Sequence, residues 1–445
     1  MNRLGLSCLL ISVNTVTIPY PVYPLGIACL TRALESGGHS AQNYDLLSAG
    51  GLDPLRTILY KSPPDLIGLS LRNLDTVDST NPVTFVPDAL PLMELIRAES
   101  KAPVVLGGPA FSILPDEIMA LLQADYGIVG EGEHELVRLA DSLEQNIEPT
   151  GKIVYSSQQP SPWGPARYDP SVVSYYLEHG GMLSVQTKRG CPYRCAYCSY
   201  PSLEGHWYRF QPPNEVAAEV ERITREFNCG YIFFTDSVFN DQKGHYLEVA
   251  EALIRRGNKT PWCAFFRPGN LGQKELRLLK RAGLAAMELG TDAACDTTLA
   301  AMAKGFGWHD VVKMNDLAAE ESVACSHFII FGGPDENAET LEQGLANIER
   351  LKRSVVFGFT GVRILPHTAI HSRAITDGVL EKGASLIQPV FYFSPEISEH
   401  DLDDRLKQAW NSRFDRVYPC SEMYSRITHF HRKGYVGPMW DFLVR

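Results

Sequence analysis

The feature that most constrains this chain is a repeated alternation of short apolar runs with amphipathic segments. LSCLLISV opens the series as a continuous apolar run, the pattern of a strand buried on both faces. SAQNYDLL, DLIGLSL, APVVLGG and YGIVGEGE follow as further short strands. IACLTRALESGG, ALPLMELIRAE and PDEIMALLQ lie between them with helical spacing, and the first stops at Gly37-Gly38, a good carboxyl-terminal helix signal. Strands alternating with helices imply a doubly wound parallel sheet over residues 1–145. Such a sheet binds ligands beyond the carboxyl ends of its strands, here the segments after Val13, Leu71, Leu106 and Val129.

Residues 146–180 break the alternation with NIEPTGK and SSQQPSPWGPARYDP, and Pro, Gly and Ser in that density read as a linker. From Met182 the alternation resumes. MLSVQT, YIFFTD, WCAFFRP, AAMELG, CSHFIIFGG and VVFGFTGVRIL read as six strands with helical segments between. Six units over residues 181–385 suit a partial (β/α)6 barrel, because eight would need about 250 residues. Catalytic residues are expected where these strands end. Residues 386–445 form an aromatic, α-rich extension that closes the barrel or its mouth. The fold class is therefore α/β: a doubly wound sheet, a partial barrel and a small extension.

The net charge of -11 and pI near 5.6 give no chain-wide basic footprint for nucleic acid. No apolar run approaches the roughly 18 residues of a membrane span. The amino-terminal run is short and lacks a small-residue cleavage site, so it reads as a first strand, not a signal peptide. A cytoplasmic protein is expected. Seven of the ten cysteines are scattered singly, the usage of buried free thiols and not of a disulfide framework.

The other three are Cys191, Cys195 and Cys198, on the loop KRGCPYRCAYCSYP after the first barrel strand. Three thiolates on one loop can ligate zinc or an iron–sulfur cluster. Structural zinc wants four closed ligands, and no nearby Cys or His completes the set. A cubane with three cysteine ligands leaves one iron open for substrate.

This Cys-x3-Cys-x2-Cys spacing, with Tyr197 before the last cysteine, resembles the signature of the radical S-adenosylmethionine (SAM) superfamily. The resemblance implies a [4Fe-4S] cluster whose open iron chelates SAM and reductively cleaves it to a 5′-deoxyadenosyl radical. Tyr197 then matches the aromatic beside the adenine. YIFFTDSVFN matches the region holding the SAM amino group, with Asp236 and Ser237 as candidates; as a plain reading, Asp236 caps the next helix. ELGTDAACDTTLAAMAKGF resembles the stretch after strand four, where Asp292 stands for the family's ribose-binding Glu and Ala293 for its Ser. FIIFGGPDENAET resembles the next glycine-bearing stretch, where Gly332 and Gly333 allow close backbone approach.

The opening NTVTIPYPVYPLGIACLTRALESGG, with VVLGGPAFSILPDE and YGIVGEGE, resembles cobalamin-binding domains fused to such barrels. The fusion implies methylation of an unactivated carbon in a small molecule. The loop after strand one, where the Asp-x-His-x-x-Gly ligand of many cobalamin proteins falls, contains no histidine. Two outcomes fit: cobalamin binds without a histidine ligand, or the domain has lost it and shapes the pocket of a cobalamin-free dehydratase, lyase or mutase. Gly107, Gly108 and Gly130 would let the sheet ends approach a corrin, or simply make tight turns. A non-catalytic iron–sulfur or zinc protein is the remaining class.

Tyr208 and Arg209, within about ten residues of Cys198, are the candidates for proton or hydrogen-atom handling. Arg209 and Arg267 are candidates to hold a substrate anion or the SAM carboxylate, and Glu204 and His206 are further candidates for proton handling. The chemistry implies a flavodoxin- or ferredoxin-type electron donor.

Overall fold

The apolar runs become strands because their side chains find a hydrophobic layer on both sides. In the first sheet, Leu9, Ile11, Ile67, Leu69, Val104 and Leu106 enter one core. Cys8, Leu10, Leu66, Val105 and Ile128 enter the other. A period of two with both faces covered is the signature of a parallel sheet in an α/β domain. A computed structural model describes residues 5–17, 19–149, 151–157, 163–411 and 413–444.

The first sheet is formed by β1 (Ser7–Ser12), β2 (Ser40–Asp45), β3 (Leu66–Ser70), β4 (Val104–Gly107), β5 (Tyr126–Val129) and β6 (Ile153–Tyr155). Its order is β2-β1-β3-β4-β5-β6 and every pairing is parallel. The chain reverses direction across the sheet between β1 and β3, which opens the crevice expected at a topological switch point. The stretch read as a linker contains β6 and a helix, Pro170–His179. β6 is short and adds to an edge, so it leaves no periodicity in the sequence. Residues 158–162 of that stretch lie outside the described residues.

The barrel starts with β7 (Leu183–Val185). Two-residue strands β8 (Lys188–Arg189) and β9 (Arg209–Phe210) then pair antiparallel around the cysteine loop. β10 (Ile232–Phe234), β11 (Trp262–Phe266), β12 (Leu284–Asp292), β13 (Ala324–Phe331) and β14 (Ser354–Thr360) continue the barrel. After β14 come β15 (Val362–Arg363) and β16 (Phe391–Tyr392), an antiparallel pair, and then β17 (Arg416–Val417). The barrel sheet runs β7-β10-β11-β12-β13-β14-β17, all parallel. The six expected strands are present and the extension supplies a seventh. VVFGFTGVRIL is not one strand, however. Gly361 sits at φ +70 with the Phe393 ring 2.6 Å from where a Cβ would lie, and the chain turns there to pair with β16.

The barrel helices follow the same logic. Pro213–Phe227 starts with Pro at its first turn and buries Val216, Ala217, Val220 and Ile223 on one stripe, as helical period requires. It stops at Asn228, which adopts a left-handed φ of 51, a common helix ending. Outward strand residues such as Phe234, Ala264 and Met287 pack on these helices. Inward residues Phe233, Cys263, Val355 and Phe357 fill the lumen, with Tyr20 from the first domain and Trp440 from the extension. One apolar core joins Leu9, Ile11 and Phe111 of the first domain to Ile329, Val362 and Trp410 of the barrel, so the two domains share buried surface.

Candidate functional site

The cysteine loop is held open by backbone contacts. Gly190 takes φ +89, and a Cβ there would lie 2.1 Å from the Trp207 carbonyl oxygen, so only glycine permits the turn into Cys191. The Cys191 N–H donates to the Gly205 carbonyl at 2.9 Å, and the Cys198 N–H to the Cys195 carbonyl at 3.1 Å. Between them the Ala196 N–H donates to Met302 at 3.0 Å, and the Ala196 carbonyl accepts from Ile370 at 2.8 Å. The Ser237 hydroxyl donates to the Gly190 carbonyl at 3.2 Å.

All three thiols are free and close enough to act on one another electrostatically. Burial pushes Cys198 up to about 12 and raises Cys191, a penalty that ligation to cationic iron reverses. Among the described residues, no three His, Cys, Asp or Glu side chains meet as ligands of a single ion. Tetrahedral structural zinc wants a fourth protein ligand, and the loop supplies three thiols. A cubane spreads them over three irons, and the donor set fits that group.

Around this loop lies a layer of buried charge. Asp236, the expected partner of an ammonium, is fully buried and accepts from the Thr187 N–H at 2.7 Å and hydroxyl at 2.5 Å. It also accepts from the Lys188 N–H at 3.2 Å, while the Lys188 ammonium lies 3.4 Å away and 3.1 Å from Asp241. Its acceptors are thus spent inside the protein. It orients the strand entering the cysteine loop and does not cap a helix, since Gly244 precedes the next one.

Asp292, the expected ribose acceptor, takes the Tyr197 hydroxyl at 2.6 Å and is ion-paired to the buried Lys304 ammonium. Burial opposes the charge on Lys304, yet Asp292 and the nearby Cys195 and Cys198 hold its pKa above the ordinary value. Asp292 adopts a left-handed φ of 63, local strain of the kind that collects at functional sites. Tyr197 therefore lies beside the cysteines, as its motif position implies.

Arg209 departs from its expected role. Its guanidinium is ion-paired to Glu131 of the first domain and donates to the Glu204 carbonyl at 2.7 Å. Arg189, just before the loop, joins it by donating to Glu131 at 3.0 Å and Glu133 at 2.5 Å. Burial works against the Glu133 charge, but Arg189 overrides it and holds the carboxyl low. The pair of arginines ties the cysteine loop to the first domain. Arg267 is clamped between the Tyr193 and Phe306 rings, at 4.2 and 4.8 Å, and donates to the Lys304 carbonyl.

Tyr208 is buried with its ring 5.8 Å from Phe210 and the Lys188 ammonium 6.0 Å above it. It does not line the cavity described next. Glu204 does, accepting from Gln186 and the Gly190 N–H, both at 3.1 Å; His206 is exposed. The Gly332 and Gly333 N–H groups donate to the buried Glu336 at 2.6 and 3.3 Å. Burial lifts that carboxyl to about 7. These two glycines shape the strand end, with their donors already used.

A cavity of about 520 Å³ lies between the two domains, within the range of cofactor pockets. One wall is the set of strand ends anticipated from sequence: Asn14, Arg72, Asn73, Gly107, Gly108 and Gly130. The other is the barrel mouth, with Gln186, Arg189, Ser199, Tyr200, Leu203 and Thr235. Gly108 sits at φ +93, and a Cβ there would be 2.5 Å from the Leu71 carbonyl oxygen. Gly130 sits at φ +89, with Ser156 2.5 Å from its absent Cβ. Gly107 leaves space, its nearest atom 3.8 Å away. This glycine-lined shelf fits a flat macrocycle laid on the strand ends, and no histidine is among the described residues that line it. Arg72, which the sequence did not single out, projects there. Burial lowers its pKa, and the groups acting on it are the phenols of Tyr200, Tyr176 and Tyr20.

Residues 185–348 match the radical SAM superfamily model and residues 11–140 match that of the B12 binding domain. The chain is thus a B12 binding domain joined to a radical SAM domain. It is 24% identical to the tryptophan 2-C-methyltransferase of Streptomyces laurentii, over 96% of this chain and 94% of that one. The fold matches the radical SAM methyltransferase TsrM from Kitasatospora setae, solved with cobalamin and a [4Fe-4S] cluster. That likeness has a TM-score of 0.86 at 22% identity and covers 100% of this chain and 97% of that one. It also matches the cobalamin-dependent SAM radical enzyme OxsB, with a TM-score of 0.73 at 14% identity over 99% of this chain and 72% of that one.

Proposed function

We propose that this chain is a cobalamin-dependent radical SAM methyltransferase that methylates an unactivated carbon of a small molecule. The observation that carries the reading is the cavity itself. It sets a glycine-lined shelf of the B12 binding domain against Ser199, Tyr200 and Leu203 of the barrel mouth, which directly follow the three cysteines in the chain. Gly108 and Gly130 are demanded by their own turns, whereas Gly107, with open space where a Cβ would lie, leaves room for a ligand on the shelf. The relatives named for methyl transfer, among them the tryptophan 2-C-methyltransferase, point the same way.

When bound, the cluster supplies an electron and a chelating iron for SAM, and cobalamin supplies a methyl carrier. The chain's own residues set the geometry. Cys191, Cys195 and Cys198 would hold the cluster. Tyr197, Asp292 and Lys304 form a neutralised wall next to it. Leu203 and Tyr200 line the cavity on the barrel side. Glu131, Glu133, Arg189 and Arg209 keep the two halves in register. Within this reading, Ser237 and Arg267 remain candidates toward SAM, and a flavodoxin- or ferredoxin-type donor supplies the electron.

The test is anaerobic reconstitution with iron, sulfide and hydroxocobalamin, followed by reaction with methyl-labelled SAM and a low-potential reductant. Label appearing in a small-molecule product supports methyl transfer. Consumption of SAM with an unlabelled, dehydrated or rearranged product would replace it with the lyase or mutase reading. Alanine at any of the three cysteines is expected to abolish iron binding, scored by iron content.

A further inference from the structure

Glu288 lies at the centre of β12, faces the barrel lumen and is 2% exposed. Its neighbours are neutral. The Tyr20 hydroxyl reaches one of its oxygens at 3.4 Å and the Trp440 indole N–H reaches the same oxygen at 3.3 Å. Among the described residues, no cationic side chain is among the groups acting on it. An acid buried without a cation costs several kcal/mol, and a glutamine would satisfy two such donors as well.

A second group points to the same place. Ser326 is the register partner of Glu288 on β13. Paired residues of a parallel sheet share a face, so both side chains enter the lumen. The Ser326 hydroxyl is buried and, among the described residues, has no hydrogen-bond partner. The position is also near the cavity. Thr235, which lines it, follows β10, and the β10-β11-β12 register puts Thr235 in the same layer as Phe265 and Glu288. Two strand spacings amount to roughly 10 Å.

We propose that Glu288 and Ser326 form the subsite for a protonated amine of the substrate. A primary ammonium offers three donors. It would give the carboxylate its missing charge partner and the serine hydroxyl a hydrogen bond. The remainder of the molecule would extend toward the cavity. Tyr20 and Trp440 hold the carboxyl in the free protein and give way when the amine enters. The proposal rests on the methyltransferase reading and on the packed lumen opening at Tyr20 and Trp440 to admit the amine, and it assigns the substrate class: a primary amine.

The test uses the full chain reconstituted with cluster and corrin, as wild type, Glu288→Gln, Glu288→Asp and Ser326→Ala. The probes are tryptamine, phenethylamine, hexylamine and L-tryptophan with their N-acetyl counterparts, measured by equilibrium dialysis. Wild type is expected to bind at least one amine at least tenfold more tightly than its N-acetyl form. Glu288→Gln should erase that preference, Glu288→Asp should keep part of it and Ser326→Ala should weaken it. Equal binding of amine and amide, an unaltered preference in Glu288→Gln, or no binding of any amine would overturn the proposal. Iron and corrin content, measured on the same samples, reports separately on the methyltransferase reading.

Discussion

Arg363 and Asp75 show how single buried charges join the halves of this protein. The Arg363 guanidinium donates to Asp75 of the first domain at 2.7 Å and to the Leu386 carbonyl at 2.7 Å. Removing one member of such a pair strands the other. Arg363→Met is expected to lose about 3–5 kcal/mol in denaturant unfolding, with much of the loss recovered in Arg363→Met/Asp75→Asn. Glu288 makes a pH prediction. Burial raises it from 4.5 to about 7. A carboxyl raised on folding is protonated in the folded state where the unfolded chain has already ionised, so stability falls as pH rises from 4.5 to about 7. The contribution is roughly 3 kcal/mol across that window. The difference in stability between Glu288→Gln and wild type should therefore grow between those pH values and level off above; a constant difference would contradict it. At this scale the sequence told most where the chemistry is local. The cysteines sit within one loop, so their spacing revealed them. Arg209 reads as an active-site cation until its partner Glu131, 78 residues away, is seen, and nothing in the chain's order announces that pairing.

The same contrast holds for elements. Strands buried on both faces announce themselves, and β1, β3, β4 and β10 to β13 stand where the apolar runs predicted. β6 and β17 were invisible because two- or three-residue edge strands bury too little to shape a pattern. The break at Gly361 is a tertiary matter, since it answers to the Phe393 ring. The shelf glycines were legible in kind, and their φ values give them a reason. Gly108→Ala puts a Cβ 2.5 Å from the Leu71 carbonyl oxygen in a left-handed backbone. The strand end must shift, so hydroxocobalamin affinity is expected to drop about tenfold or more by spectral titration, while iron content holds. Unchanged affinity would mean the shelf does not bear the corrin.

For the whole molecule, the architecture places two cofactor domains face to face with one shared core and two sets of buried ion pairs across the seam. The order of the domains and their fold class were readable from alternation and motif. Their mutual placement was not, because it depends on contacts between residues from 58 to 288 positions apart. The central claim is that the crevice between them is built for a corrin opposite a cubane. The direct measurement is the absorption spectrum and iron assay of anaerobically reconstituted protein after hydroxocobalamin loading and desalting. The account predicts a corrin band that stays with the iron-bearing chain. A chain that keeps its iron and releases all of the corrin would contradict it.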